Sequence, residues 1–440
     1  MEDNILQQID LYLKTLYPIN RSITGKGNEK TLKILQEICP LKIKSISSGT
    51  SVFDWTIPPE WNVKKALITD LDGNVIVDFK NLNIHLVNYS TPIDKIMSFD
   101  ELDKHLFYLK EKPEAIPYRT SYYKRNWGFC LSYNQYKKID KSKKYHVCIN
   151  STLDDDGKMV YGELYKKGKS KKEIIISSYI CHPSLANDNL SGLLLSCFLF
   201  KTLSQIDTYY SYRLLLVPET IGPIAWLHQN STKNIKGGLV ISCVAGPGPL
   251  GYKKTYLGDH KIDKAIKYAL NKEEYIEYKF EPIGSDERQY SSPAFRIPIG
   301  TITKSKYYEY DEYHTSLDNL EFISSVNLLK SLTIYIDTIF YLEKNQKYKR
   351  KFNQCEFMLS KLDKIYPDTG GTISQPSLIK DHTSHTYTPK SNGNILDCIA
   401  WLSFGCDGKN SLFDIQEMSG LSIDDLIYSL ELLQENKLIL

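Results

Sequence analysis

Hydrophobic and polar positions divide the chain into stretches of different period. Residues 3–16 and 28–38 place apolar side chains at helical spacing, separated by the turn-rich link Pro18 to Gly27, so two surface helices are predicted. From about Leu41 to Asn150 the texture changes to short runs rich in Val, Ile, Tyr and Trp, cut by Pro58-Pro59, Asp72-Gly73, Pro92 and Pro117. Such runs predict a β-rich unit. Within it DLDGNVIVDF and NIHLVNYS read as strands, the first opened by a hairpin-type Asp72-Gly73 turn, and SFDELDKHLFYL reads as an amphipathic helix capped by Ser98. Strand candidates at 145–149, 174–180, 212–217, 238–243 and 299–303 then alternate with helices near 191–206, 221–230, 259–271 and 321–342. That alternation predicts an α/β domain with a mainly parallel sheet between helix layers.

The resulting organisation is an α/β domain made of residues 1–40 plus 144–345, an inserted β-rich, lid-like domain at 41–143, a linker at 346–394 and a module at 395–440. The linker carries the basic run KNQKYKRKFNQ, read as a solvated face. The last module gives three short helices and an apolar tip, as in a winged helix. DNA recognition would demand a basic helix, yet residues 391–440 hold eight acidic side chains and two lysines, so the module is expected to bind protein, a second copy or its own core. In YRTSYYKRNWGF aromatics lie between Arg119, Lys124 and Arg125; a base-stacking groove and an edge strand or lid over an active site both use such residues.

Composition changes little. With 440 residues, 42% hydrophobic and 24% charged, the chain resembles an ordinary globular protein, and a net charge of +3 gives no reason to expect a nucleic-acid or membrane partner. The start MEDNILQQIDLYL lacks the features of a signal peptide, and no stretch approaches the roughly 20 apolar residues of a membrane span, so a cytoplasmic location is expected. Nine cysteines without a CxxC pair fit a reducing compartment.

Candidate chemistry gathers where strands end. The run 174–180 reads as a buried strand, Cys181 to Asn189 as a turn and Ser191 to Leu203 as a buried helix, with His182 at the strand end and Asp188 placed as a helix cap. Open α/β sheets bind ligands at this carboxyl edge. Taken singly, a histidine after a strand or a carboxylate at a helix start has an ordinary structural explanation.

CHPSLANDNLSG resembles the pattern of zinc aminopeptidase family M28, a His after a strand followed by Asp-Asn-x-Ser-Gly. LLLVPETIG, residues 214–222, is similar to that family's strand ending in Glu-Glu-x-Gly, and EYHTSLD, residues 312–318, to its Tyr-His-Thr-x-x-Asp. The link INRSITGKGNEKTL resembles the segment ahead of the catalytic sheet in many members, although an ordinary helix-helix turn fits equally. More narrowly, WTIPPEW, GSDERQYSSP and EYHTSLDN make the whole chain resemble the bacterial family DUF4910 (formerly DUF2172), described as aminopeptidase-like and often linked to polysaccharide biosynthesis.

The resemblance implies a three-layer α/β/α zinc-aminopeptidase-like (phosphorylase/hydrolase-like) core. It implies His182, Asp188 and His314 as metal ligands and Glu219 as general base, a set that leaves a fourth position open on tetrahedral zinc. Asp318, four residues after His314, is expected to receive the other imidazole N–H. Two departures from the dinuclear pattern matter: Thr220 stands where a second Glu would bind a second metal, and Cys243 stands near a further Asp ligand. One Zn2+ per chain is therefore expected, with Cys243 open as a fourth ligand or as a buried apolar side chain. In the loop Gly284 to Tyr290, Asp286 or Glu287 is expected to hold a substrate ammonium and Arg288 a carboxylate, with Tyr290 beside them; a surface charge cluster explains these residues as well. His228 and His260 read as structural. The expected function is a zinc hydrolase cleaving an amide in a small peptide or an amino- or acyl-sugar derivative. A non-catalytic ligand-binding or regulatory protein, and a zinc-dependent acyl transferase like glutaminyl cyclase, stay open as alternatives.

Overall fold

A computed structural model describes residues 2–359 and 395–440. The chain forms two compact units, Met1–Asp337 and Thr338–Leu440.

In the first unit, twelve strands longer than two residues follow one another along the described chain: β1 Lys42–Ser47, β2 Glu60–Asp70, β3 Val75–Asp78, β4 Ile93–Ser98, β5 Lys144–Asp154, β6 Lys158–Lys166, β7 Glu173–Tyr179, β8 Ser211–Val217, β9 Ile235–Val240, β10 Leu250–Lys253, β11 Tyr275–Tyr278 and β12 Ile299–Lys304. Eight of them make one sheet in the order β1-β6-β8-β7-β9-β12-β10-β11. Its centre, β8-β7-β9-β12, is parallel, while β1 with β6, β6 with β8 and β10 with β12 are antiparallel. The expected mainly parallel sheet is thus a mixed one with a parallel centre. The flanking strands β6, β10 and β11 alternate with polar residues and carry no long apolar run, so the hydrophobic pattern did not mark them.

β7 is buried along its whole length, which explains its apolar run Ile174 to Ile176 and why the polar residues after it are serines, small enough to be buried between neighbouring strands. Helix α4, Gly192–Ser204, is apolar nearly all round because it is buried over most of its surface. Helices α1 Glu2–Leu16, α2 Lys26–Leu35, α5 Ile221–Gln229, α6 Lys261–Ala269 and α7 Ser325–Lys344 agree with the periodic segments.

Four strands build a second, antiparallel sheet in the order β3-β2-β5-β4. This corrects two boundaries. The 145–149 run expected in the main sheet pairs with β2 and β4, and Lys42–Ser47, expected in the insert, is an edge of the main sheet. The NIHLVNYS segment is not a strand. Its buried backbone bonds instead to loops, with the Val87 amide on the Gly128 carbonyl at 3.0 Å and the Asn88 amide on the Arg119 carbonyl at 2.8 Å. Ser98 does cap a helix, α3 Phe99–Asp103, by a reciprocal bond with Glu101, but the helix stops after five residues. One apolar core runs from Ile68 and Val147 of the small sheet through Met159 and Tyr161 to Ile175 and Leu215 of the large one and Trp226 of α5.

The second unit holds helices α8 Ile395–Gly405, α9 Leu412–Ser419 and α10 Ile423–Glu435, numbered after the last turns of α7. Its chain end pairs backbone to backbone with residues 349–351, which the expected linker contains. The rest of that linker, 360–394, lies outside the described residues. Helix α10 carries Asp424, Asp425, Glu431 and Glu435 and no basic side chain. No described helix is long and apolar enough to cross a membrane.

A charge network around two buried carboxylates ties four strands together: Arg213 of β8 pairs with Glu163 of β6 and Glu173 of β7, and Lys44 of β1 joins Glu163. Burial would raise the Glu163 carboxyl, but Lys44 and Arg213 hold it below the usual carboxylate range. Its contribution is therefore complete above the ordinary carboxylate pKa and is lost as pH falls through the depressed folded value. Arg213→Met leaves Glu173 without its partner and Glu163 with Lys44 alone, and is expected to cost about 3 kcal/mol at pH 7, with a smaller difference in acid. Urea titrations of both proteins at pH 7 and in acid check this; an equal loss at the two pH values would show that packing, not charge, is what Arg213 supplies.

Candidate metal centre

The carboxyl ends of the central parallel strands bring the chemistry together. β7 ends at Tyr179 and Cys181-His182 follow; β8 ends at Val217 and Glu219 follows; the loop after β12 carries His314. Asp188 does not cap α4. It lies inside the irregular turn Ala186–Ser191, while Ser191 takes the cap position without a side-chain bond.

That turn is held by side chains on every side. Asn187 Oδ1 accepts the Ala245 and Gly246 amides at 2.9 and 3.1 Å, and its Nδ2 reaches the Ser305 carbonyl at 3.3 Å. Asn189 donates to Ser178 Oγ at 2.9 Å and to the Tyr179 carbonyl at 3.1 Å. At Gly192 a Cβ would stand 2.2 Å from Asn189 Oδ1 and 2.5 Å from the Ile241 carbonyl, so no side chain fits there. The Asn-Asp-Asn-x-Ser-Gly pattern is thus a packing requirement as well as a source of a ligand.

Three side chains converge. His314 Nε2 stands 3.0 Å and His182 Nε2 3.9 Å from Asp188 Oδ2. Ligands about 2.0–2.1 Å from a tetrahedral ion are roughly 3.3 Å apart, so this spacing suits one zinc-sized ion. Asp188 Oδ2 and His314 Nε2 are both buried and neither makes a hydrogen bond, although they face each other within ion-pair distance. Two unsatisfied lone-pair atoms directed at a common point fit a cation. Asp188 Oδ1 is occupied, accepting the Tyr179 hydroxyl. Burial would raise the Asp188 carboxyl, but the facing imidazoles of His182 and His314 bring it down to about 2; burial lowers His182 to about 4. At neutral pH the chain therefore presents a carboxylate and a neutral imidazole, the protonation states that ligation requires.

Glu219 Oε2 lies 3.9 Å from His182 Nε2, and a quarter of its side chain (25%) is open. Burial, with Asp286 and Asp188 nearby, pushes its carboxyl well up, and Arg288 opposes the shift. Cys181 was missed in the sequence. Its sulfur is 3.4 Å from His182 Nδ1 and accepts the Glu219 amide at 3.3 Å, so it bridges the ends of two neighbouring strands, and Cys181, His182 and Glu219 form a second group of metal-competent atoms. Arg21, in the link between the first two helices, is fully buried and donates through Nε to the His182 carbonyl at 3.0 Å.

Several expected roles are corrected. Asp318 does not reach for His314; it accepts the Ala186, Asn187 and Asp188 amides at 3.1, 2.6 and 3.0 Å and the Tyr310 hydroxyl at 3.0 Å. Glu287 is buried in an ion pair with Lys253, and the Tyr290 hydroxyl bonds Ser177 at 2.9 Å, so neither faces a ligand. Asp286 is also buried and takes the Thr220 amide at 2.7 Å. Cys243 lies in neither metal-competent group; its sulfur is 3.9 Å from Asp188 Oδ1 and burial drives its thiol well up, away from the thiolate that binds metal. Tyr118 covers the centre, with its ring 5.2 Å from both imidazole rings and its amide on the His314 carbonyl at 2.8 Å.

A mixed sheet with this edge defines the fold class of the zinc aminopeptidases. A zinc aminopeptidase from Bacillus subtilis superposes with a TM-score of 0.56 at 11% identity over 77% of this chain and 94% of that one. A peptidase M28 precursor from Shewanella amazonensis gives 0.50 at 11% identity, over 78% and 97%. Residues 11–345 match the domain of unknown function DUF4910, and the chain belongs to that family. A Clostridium acetobutylicum protein named for polysaccharide biosynthesis and an aminopeptidase-like domain is 42% identical over 96% of this chain and 95% of its own length. A crystal structure from that organism, provisionally named a peptidase, has a TM-score of 0.87 at 39% identity, over 99% of this chain and 96% of that one.

Asp318→Ala should leave His182, Asp188 and His314 in place but free the Asp188 loop. Zn2+ affinity, measured against a chromophoric chelator, is expected to fall about 10–100-fold. An unchanged affinity would show that the loop keeps its shape without this carboxylate.

Proposed function

We propose that this protein is a zinc-dependent hydrolase of aminopeptidase type that cleaves an amide in a small peptide or an amino- or acyl-sugar derivative. The observation that carries the proposal is the pair of buried, unsatisfied atoms Asp188 Oδ2 and His314 Nε2, 3.0 Å apart with His182 beside them. His182, Asp188 and His314 would hold the ion. Bound there, zinc supplies Lewis-acid chemistry, polarising a carbonyl and acidifying water toward a pKa of about 7. Glu219, within 3.9 Å of His182, accepts the proton at its carboxylate and passes it to the leaving amine. The pocket beside it is lined by Tyr122 and Trp55. The sugar option rests on the Clostridium relative being named for polysaccharide biosynthesis.

One zinc is expected per chain, because Thr220 spends its amide and hydroxyl on Asp286 and Arg288 and offers no carboxylate, and Cys243 is a buried thiol. Elemental analysis of the purified protein checks the count; two equivalents, both lost in His182→Ala, would refute it. Glu219→Gln should retain zinc and lose at least about 100-fold in rate of amine release, since the amide keeps the shape and cannot take the proton. His314→Ala should lose the zinc itself. If Glu219→Gln loses the metal, Glu219 is a ligand; if it keeps full activity, another group is the base.

A further inference from the structure

Beside Glu219 opens a cavity of ≈ 290 Å³ whose wall includes Trp55, Tyr122, Tyr123, Ile221 and Arg288. Its aromatic side is fixed, with Trp55 and Tyr123 edge-on at 5.7 Å and the Tyr122 hydroxyl bonded to Tyr118 at 2.9 Å. The charged side is uneven. A peptidase that selects a free amino terminus needs a carboxylate to meet the ammonium, and Asp286 and Glu287, though each keeps one buried oxygen without a partner, do not line the cavity. Glu287 is paired with Lys253, and Asp286 is buried against the Thr220 amide and does not line the cavity. Glu219 lines it but is the proposed base. Arg288 is different: it lines the cavity, donates Nη2 to Thr220 Oγ1 at 2.9 Å, and has a buried Nε with no partner. Among the described residues no carboxylate lies within ion-pair distance of it, although guanidinium groups in protein walls are ordinarily paired.

We propose that Arg288 is the anchor for an anionic group on the substrate, so that the cavity takes an acidic amide with an aromatic or acyl body and not a free ammonium. This rests on the hydrolase reading and narrows its substrate to amides bearing a carboxylate or a similar oxyanion. Arg288 is then a specificity residue, and its fork meets the anion while Trp55 and Tyr122 cover the body of the molecule.

The test uses the full chain loaded with zinc and three probes of one shape, 2-phenylethanesulfonate, 2-phenylethanol and 2-phenylethylamine, titrated by ligand-observed NMR at fixed ionic strength. The sulfonate is expected to bind about 10-fold more tightly than either of the others, as a charge-assisted contact predicts. Arg288→Met should remove that advantage and leave the alcohol within about 2-fold, with Arg288→Lys recovering part of it. The wild-type ranking decides even if a variant fails to fold: tightest binding of the amine overturns the proposal, as does an unchanged sulfonate constant in folded Arg288→Met. Zinc content measured on the same samples separates the two readings. Zinc without a sulfonate preference sinks only the anion anchor, and a preference without zinc sinks only the hydrolase.

Discussion

The Asp318 carboxylate, buried and accepting three successive backbone amides from Ala186 to Asp188, is the interaction on which the centre depends. A ligand-bearing turn between a strand and a helix has no ladder of its own, and each buried amide left unpaired would cost about 1–3 kcal/mol. One side chain from the loop after β12 satisfies all three and in doing so fixes where Asp188 points. The same loop carries His314, so the distance between two of the converging side chains is set by a single bridge. Burial pushes Asp318 itself up to about 7 against those amides, which places its hydrogen bonds among the most exposed of the fold's charges to loss by protonation.

A loop between two strands of the small sheet takes part in the same constraint from the other side. Residues 116–118 lie along 314–316, with the Ser316 amide on the Ile116 carbonyl at 2.8 Å and the Tyr118 amide on the His314 carbonyl. His314 adopts a left-handed backbone, φ 53°, that a non-glycine residue holds only where its surroundings impose it. The insert therefore does more than roof the pocket. Ile116 and Tyr118 pack with Ile84 and Leu185 in a small cluster of their own, so the strap that contacts His314 also rests on the residue just before the turn that holds Asp188.

How much of this could be read in advance depended on what each residue's neighbours in sequence reveal. The parallel centre was legible because buried strands carry dense apolar runs such as Ile174 to Ile176, with no alternation of exposed polar residues. The positions of His182, Asp188, Glu219 and His314 at strand ends were legible through the motifs around them. Partnerships across more than a hundred residues were not. Nothing local in Asp318 distinguishes an acceptor for the amides of 186–188 from a partner for His314, and the four-residue spacing favoured the nearer choice. Glu287 and Tyr290 looked available for the same reason, since Lys253 and Ser177 are far away in the chain. Cys181 adjoins the histidine already singled out, but a cysteine in an apolar run gives no sign of the amide it will accept.

Thr220 shows how a side chain without a carboxylate holds the turn after Glu219. It sits at φ 66°, where a β-branched residue is a true outlier costing on the order of 1–3 kcal/mol. The turn persists because its amide goes to Asp286 and its hydroxyl to Arg288, two contacts that glycine, free to adopt this φ, would make only in half. The backbone bend aims Glu219 into the cavity next to His182, and the threonine hydroxyl orients Arg288 beside it. A neutral, hydrogen-bonding side chain at this place thus adds no carboxylate to the wall and holds the Arg288 guanidinium in it.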